Sequence, residues 1–289
     1  MLSYQHSYHA GNHADALKHV MLGEVVAAMQ QKDKPLFLFD AFASRGYYDL
    51  ESAEALKNRE FETGIAKLWM HRKEQTPGGI MRWFDIIADC NPDGGFNRLP
   101  GSTALLAAML REQDRLAACD LHPQEFNALR KSFSAGDKSI RNLGRRFALH
   151  HRDAYEALNA LLPPKEKRGL VFLDPSYEIK EEYRQVAESV AAAYQHFASG
   201  VYVIWYPLLP AGRQFDLFAS LKHSGIRKIL RLELDCRDCF PNMQMHGSGM
   251  LIINPPWHAG QAMQTSLDWI SKTLTGGKGR TTLGWLVPE

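Results

Sequence analysis

No stretch of this 289-residue chain approaches the roughly 20 consecutive apolar residues that a membrane-spanning helix needs. Its opening, which carries His6, His9 and His13, lacks the apolar centre of a secretion signal. No membrane partner is therefore expected, and the expected address is the cytoplasm. Cysteine is scarce as well. The four present, Cys90, Cys119, Cys236 and Cys239, suit a reducing compartment, and Cys236-x-x-Cys239 has no second pair with which to build a zinc site. No metal is expected. His9 and His13 stand four apart, but Gly11 and Asn12 interrupt the helix that a ligand pair at that spacing requires. Excess charge is missing too: a net charge of +2 and a pI near 8.3 rule out a uniformly basic surface. Any contact with nucleic acid must then be local, with Lys131, Arg141, Arg145, Arg146, Lys165, Lys167 and Arg168 as candidates. A solvated charged face explains the same residues.

What the chain does have is alternation. Apolar runs of strand length at 36–40, 116–119, 146–149, 168–173, 201–206, 228–234 and 250–253, with a further one at 283–287, are separated by stretches of helical periodicity. Helices are expected from Asn12, a good N-cap, to about Gln31, and over 51–71, 80–90, 103–116, 123–133, 155–162, 180–197 and 212–223. Strand and helix in turn predict an α/β fold with a doubly wound parallel sheet and helices on both faces. In a simple nucleotide-binding half, the second strand-end acid follows the first glycine turn by about 20 residues. Here Asp120 follows Asp40 by far more, so residues 48–100 read as a small inserted helical subdomain between two parts, 1–47 and 101–289, of one main domain.

Open α/β sheets keep their ligands at the carboxyl ends of their strands. The run 169–173 ends there in Asp174-Pro175-Ser176-Tyr177. An exocyclic amine on a nucleobase is a poor nucleophile because its lone pair is delocalised into the ring. A catalyst must accept hydrogen bonds from both N–H groups: the Asp174 carboxylate can take one and the Pro175 carbonyl the other, with the proline stiffening the loop. Tyr177 offers a flat face for an extruded base. The bare pattern is equally that of a strand ending in a helix cap and a turn. Asn254-Pro255-Pro256-Trp257 matches an amine-methyltransferase tetrapeptide better, yet only one strand-like run follows it, and a ligand loop belongs near the middle of such a sheet. The chemistry is therefore assigned to Asp174. Asp153, at another turn, can accept from an adenine amino group or simply cap a helix, and Ser102 can cap a helix or touch a ligand.

A wider likeness covers the whole chain in order. Met1-Leu2-Ser3-Tyr4, His9-Ala10-Gly11-Asn12-His13-Ala14-Asp15, Lys18-His19, Pro100-Gly101-Ser102, Leu121-His122-Pro123, Asp174-Pro175, Tyr177, Trp205-Tyr206-Pro207 and Ser248-Gly249-Met250 resemble the bacterial large-subunit ribosomal RNA methyltransferase J family. The resemblance implies a Rossmann-like class I methyltransferase sheet and transfer of a methyl group from S-adenosyl-L-methionine to the N6 of an adenine in 23S ribosomal RNA, whether free or in an assembly intermediate. It also implies roles. Asp174 matches the catalytic acid, joined by Pro175 and Tyr177. His19, Asp40, Phe42, Gly46, Ser102, Asp120, Asp153 and Ala154 fall at cofactor positions, and Tyr4 and Lys18 at positions facing the RNA.

Departures from the family pattern cluster at the same place. Where the family reads roughly D-x-H-A-G-x-G, this chain has Asp40-Ala41-Phe42-Ala43-Ser44-Arg45-Gly46, with one glycine only, and the family's D-P-P-Y becomes Asp174-Pro175-Ser176-Tyr177. Position 120 is a glutamate in the family and an aspartate here. A serine at 44 is expected to be strained if its φ is positive, and its Cβ and the bulk of Arg45 are expected to crowd the methionine moiety. Two alternatives follow: a nucleic-acid-binding member with weak or lost catalysis, or a role in the use of external DNA, with which family members have also been connected.

Overall fold

The computed structural model describes residues 4–134, 143–239 and 244–289. In chain order its strands are β1 (Phe37–Asp40), β2 (Tyr47–Asp49), β3 (Arg98–Pro100), β4 (Arg115–Asp120), β5 (Phe147–His151), β6 (Gly169–Leu173), β7 (Val201–Leu208), β8 (Ile229–Asp235), β9 (Gly247–Ile253) and β10 (Arg280–Val287). The helices are α1 (His13–Gln30), α2 (Ala53–Asn58), α3 (Glu60–Thr63), α4 (Ile65–Trp69), α5 (Gly78–Cys90), α6 (Ser102–Ala108), α7 (Pro123–Ser134), α8 (Ala154–Leu161), α9 (Glu182–His196), α10 (Gln214–His223) and α11 (Ala259–Thr275). Eight strands form one sheet in the order β10-β8-β9-β7-β6-β1-β4-β5. Strand order reverses at β1, which pairs in parallel with both β4 and β6. This is the α/β sheet, reversing its strand order near the middle, that the alternation of strand and helix predicts. Helices α8, α9 and α10 pack together on one face, and α1 packs with α5, α6 and α11 on the other.

Helix α1 is buried almost all round, from His13 through Val26, so the apolar stripe of the sequence is one side of a central helix. Its polar residues are inside with it, and each needs a partner. Asn12 caps the helix as expected, accepting from the amides of Ala14 (2.9 Å) and Asp15 (3.0 Å).

Several boundaries differ from the sequence reading. The helix expected over 51–71 is three short helices, broken where Arg59 takes a left-handed φ of 53° and again at Gly64. A Cβ at Gly64 would lie 2.1 Å from the Gly11 carbonyl oxygen, so the chain closes on the N-terminal segment there. The stretch 48–100 is not wholly helical either: β2 and β3 pair antiparallel at its base. The helix expected to reach Leu116 stops at Ala108, and a turn held by Asp114 and Arg111 leads into β4. Ser102 is the first residue of α6 and Gly101 its N-cap. Helix α11, packed along α1, went unassigned in the sequence.

Strand direction settles the second tetrapeptide. Strand β9 runs antiparallel to β7, so Asn254 emerges at the rim opposite Asp174. There its side-chain amide donates to the carbonyls of Ala198 (2.8 Å) and Gly200 (2.9 Å). Direction also corrects the basic cluster. Arg145 and Arg146 precede β5, and Lys165, Lys167 and Arg168 precede β6, which puts them at the far rim from the strand ends that carry Asp120 and Asp174. Arg168 donates to the carbonyls of Met29 and Lys34. Lys131 lies in the last turn of α7, and Arg141 lies outside the described residues. Among the described residues, no helix is long and apolar enough to cross a membrane.

Candidate active site

A cavity of about 530 Å³ opens at the carboxyl ends of β1, β4 and β6, within the ~300–1,000 Å³ usual for small-molecule sites. The loops after these strands supply Phe42 and Ser44, then Asp120 and His122, then Asp174, Pro175, Ser176 and Tyr177. Helix α1 adds Lys18 and His19, and the first turn of α8 adds Asp153, Ala154 and Tyr155. Tyr4, His6 and His9 cross the mouth from the N-terminal segment. Two expected residues are not in the wall. Asp40, fully buried, sits behind Ser102, whose hydroxyl donates to it at 2.7 Å, as does that of Thr103. Burial pushes its carboxyl up to about 6. Gly46, at φ 80°, faces α7, where a Cβ would lie 2.9 Å from Phe133 and 3.0 Å from Leu129.

The end of the cavity at Asp174 is a network of charges. Asp174 Oδ2 lies 2.6 Å from Lys18 Nζ, which also meets Asp15 Oδ1 at 2.9 Å. Asp15, fully buried, in turn accepts from the Gly11 amide (2.8 Å) and pairs with His6 Nε2 (2.9 Å). Burial alone would lower the Lys18 pKa, but the two carboxylates raise it, so the ammonium is charged. Lys18 is 3% exposed and also lies 5.3 Å from the centroid of the Trp205 ring. That placement corrects the expectation of an RNA contact: to reach a phosphate, Lys18 would have to leave two carboxylates and a ring. Tyr4 lines the same cavity, with its hydroxyl 2.7 Å from His6 Nδ1 and its ring stacked on His9. Tyr177 is 7% exposed. Its ring lies 4.2 Å from that of Tyr183, and its hydroxyl donates to the Trp205 carbonyl. The sequence reading missed Asp15, His6 and Trp205 as parts of this network. The signal for Asp15 was present, since Asp15 and Lys18 are three apart on one helix face.

The other end has the donors and acceptors a nucleoside needs. Asp120 accepts from the amides of His122 (2.7 Å) and Ser44 (2.8 Å), and each carboxylate oxygen keeps a second lone pair. Asp153 caps α8 through Oδ1 alone, at the amides of Tyr155 and Glu156. Phe42 lies edge to face with Tyr155, its ring centroid 5.6 Å away, as an apolar wall between them. His19 is buried and Nδ1 has no hydrogen-bond partner among the described residues, while burial lowers its pKa to about 3, so the ring is neutral. An unsatisfied buried ring nitrogen beside a cavity fits a polar ligand group. Arg45 does not crowd the cavity, whereas Ser44 lines it. Ser44 does take a left-handed φ of 51°, but Arg45 turns out of the cavity to Glu125.

The sequence model of the family described as ribosomal RNA large subunit methyltransferase D, RlmJ, matches residues 33–287. The chain belongs to this family. Two relatives, each bearing the name ribosomal RNA large subunit methyltransferase J, match from end to end: one from Escherichia coli K12 at 37% identity and one from Haemophilus influenzae Rd at 39%, with all of each chain covered. The crystal structure of protein LPL1258 from Legionella pneumophila superposes with a TM-score of 0.86 at 33% identity, covering 96% of this chain and 98% of that one. The methyltransferase family thus accounts for the fold.

Proposed function

We propose that the chain transfers a methyl group from S-adenosyl-L-methionine to the N6 amine of an adenine in 23S ribosomal RNA. The observation that carries this reading is Asp174 at the end of β6, inside the cavity, with Oδ2 held by Lys18 and Oδ1 without a contact among the described residues. The donor fits the residues present. Asp120 can hold ribose hydroxyls, Asp153 an adenine amine, Phe42 and Tyr155 the purine faces, and His19 with Ser102 the polar tail. When bound, it supplies a methyl group on a sulfonium.

The residues of the chain do the rest by positioning and charge. Asp174 Oδ1 and the Pro175 carbonyl accept the two amine hydrogens, draw the nitrogen out of conjugation and stabilise the positive charge that develops on it. Tyr177 forms the wall against which the extruded base lies, fixed by Tyr183 and the Trp205 carbonyl. Tritiated methyl transfer to an unmodified 23S transcript tests the reading. Asp174→Ala is expected to cut the rate at least a hundredfold with donor affinity within threefold. Running naked 23S RNA beside assembled large subunits separates the two forms of substrate. No transfer to either by the wild-type chain sinks the proposal.

A further inference from the structure

Glycine normally serves where a loop must take a left-handed φ beside a ligand, because any other residue there is strained. This chain puts Ser44 at φ 51° in that position. Its amide is the donor that holds Asp120 Oδ2 at 2.8 Å, so the strained residue and the acid facing the cavity are coupled. Something must keep Ser44 in place. Glu125, on α7, is 3% exposed and accepts three hydrogen bonds: from Ser44 Oγ (2.9 Å), from Arg45 Nε (2.9 Å) and from the Arg45 terminal nitrogen (2.5 Å). The Arg45 carbonyl is fixed in addition by Ser132 Oγ at 3.2 Å, again from α7.

We propose that Glu125 is a positioning residue of the donor site: with Arg45 it clamps the loop after β1 in its left-handed conformation and so aims Asp120 into the cavity, in place of a glycine at 44. Glu125 also lines the cavity, but its Oε2 accepts from both Ser44 and Arg45 and its Oε1 from Arg45, and the role assigned to it is to act through Ser44 and Asp120. Charge-assisted, bidentate pairing gives the clamp geometric stiffness that a neutral contact lacks. The inference rests on the reading of the cavity as a donor site.

Calorimetric titration with S-adenosylhomocysteine, together with amide exchange at residues 43–46, tests it. Glu125→Gln is expected to raise Kd roughly tenfold, in keeping with loss of a charged hydrogen-bond set, and to speed exchange of the Ser44 amide, while affinity for 23S RNA measured by filter binding stays within twofold. In a Ser44→Gly background the same substitution is expected to change Kd by less than threefold, because glycine holds the conformation unaided. A purely structural role for Glu125 would weaken RNA and donor binding together and would not be relieved by glycine. If Glu125→Gln does not fold, Arg45→Ala, at a residue whose side chain is a quarter exposed, enters the same cycle. A wild-type chain that fails to bind the probe overturns the donor-site reading, and the exchange data still decide the clamp. Equal losses with serine and with glycine at 44, or unchanged exchange in Glu125→Gln, overturn the clamp.

Discussion

Lys18 Nζ lies 2.6 Å from Asp174 Oδ2, joining residues 156 positions apart in the chain. The contact ties the central helix to the end of the central strand β6, and a second carboxylate, that of Asp15, sits 2.9 Å from the same nitrogen. One buried cation therefore balances two acids. This leaves Asp174 with an oriented carboxylate, Oδ2 committed and Oδ1 without a hydrogen bond among the described residues.

Lys18→Met tests that balance. The substitution keeps the stem and deletes the charge, leaving Asp15, fully buried, opposite His6 alone and Asp174 without its partner. Breaking a buried pair by removing one member costs about 3–5 kcal/mol. Urea unfolding at pH 7 is expected to show a loss of that size, and Asp15→Asn added to Lys18→Met is expected to recover part of it. Wild-type stability in the single variant would mean the network carries no net energy.

Asp40 gives a pH prediction of definite sign. Burial holds its carboxyl at about 6 in the folded chain against an ordinary value of 3.8, so the fold keeps the proton that the unfolded chain releases. Stability on this account is complete below pH 4 and is lost as pH rises to 6. The gap, 6 less 3.8, is about 2 pH units, equivalent to something on the order of 3 kcal/mol. Asp40→Asn retains an oxygen for the Ser102 and Thr103 hydroxyls and cannot ionise. The difference in unfolding free energy between the variant and the wild type is expected to move by that amount in favour of asparagine between pH 4 and pH 7. A constant difference across the range would show that Asp40 is not perturbed.

The middle of the sheet was legible because strands such as β6 are short, fully apolar runs: Leu170 to Leu173 are all buried, and no alternative period competes there. The carboxyl-end acids Asp120, Asp153 and Asp174 were legible for the same reason, since each directly follows such a run or its turn. What the sequence hid was tertiary. Lys18 looks like a surface residue until Asp174 and the Trp205 ring are found against it, and α11, which packs along α1, was not assigned. Gly46 looks like a ligand contact until Phe133 and Leu129 are found against it. Arg45 looked like an obstruction because Glu125, 80 residues on, gives no local sign that it draws the guanidinium away. Antiparallel insertion of β9, which moves Asn254 to the far rim, is likewise a matter of pairing that no local pattern records.

The N-terminal segment at the cavity mouth is held by a pair that titrates. His9 Nδ1 lies 2.7 Å from Glu60 Oε1 on α3, while Asn12 donates to the other oxygen at 3.0 Å. The hydrogen bond to Glu60 raises the His9 pKa above its ordinary 6.5, and burial offsets this only in part. Glu60 moves the opposite way: burial would raise it, but the bonds from His9 and Asn12 bring it below 4.5. Stabilisation from the raised histidine is therefore fully present below pH 6.5 and is lost as pH climbs through the raised value. Stabilisation from the lowered glutamate is present above pH 4.5 and is lost as pH falls through the lowered value. The pair is strongest between them. Because the His9 ring also stacks on Tyr4, loosening it frees the mouth. Amide exchange of residues 6–10 is expected to quicken, beyond its intrinsic rise with pH, as the pH climbs above 6.5, and His9→Gln is expected to abolish that excess. Both partners are partly exposed, so the effect on global unfolding is expected to be small and screened by salt. An excess that survives in His9→Gln would assign the titration to another group.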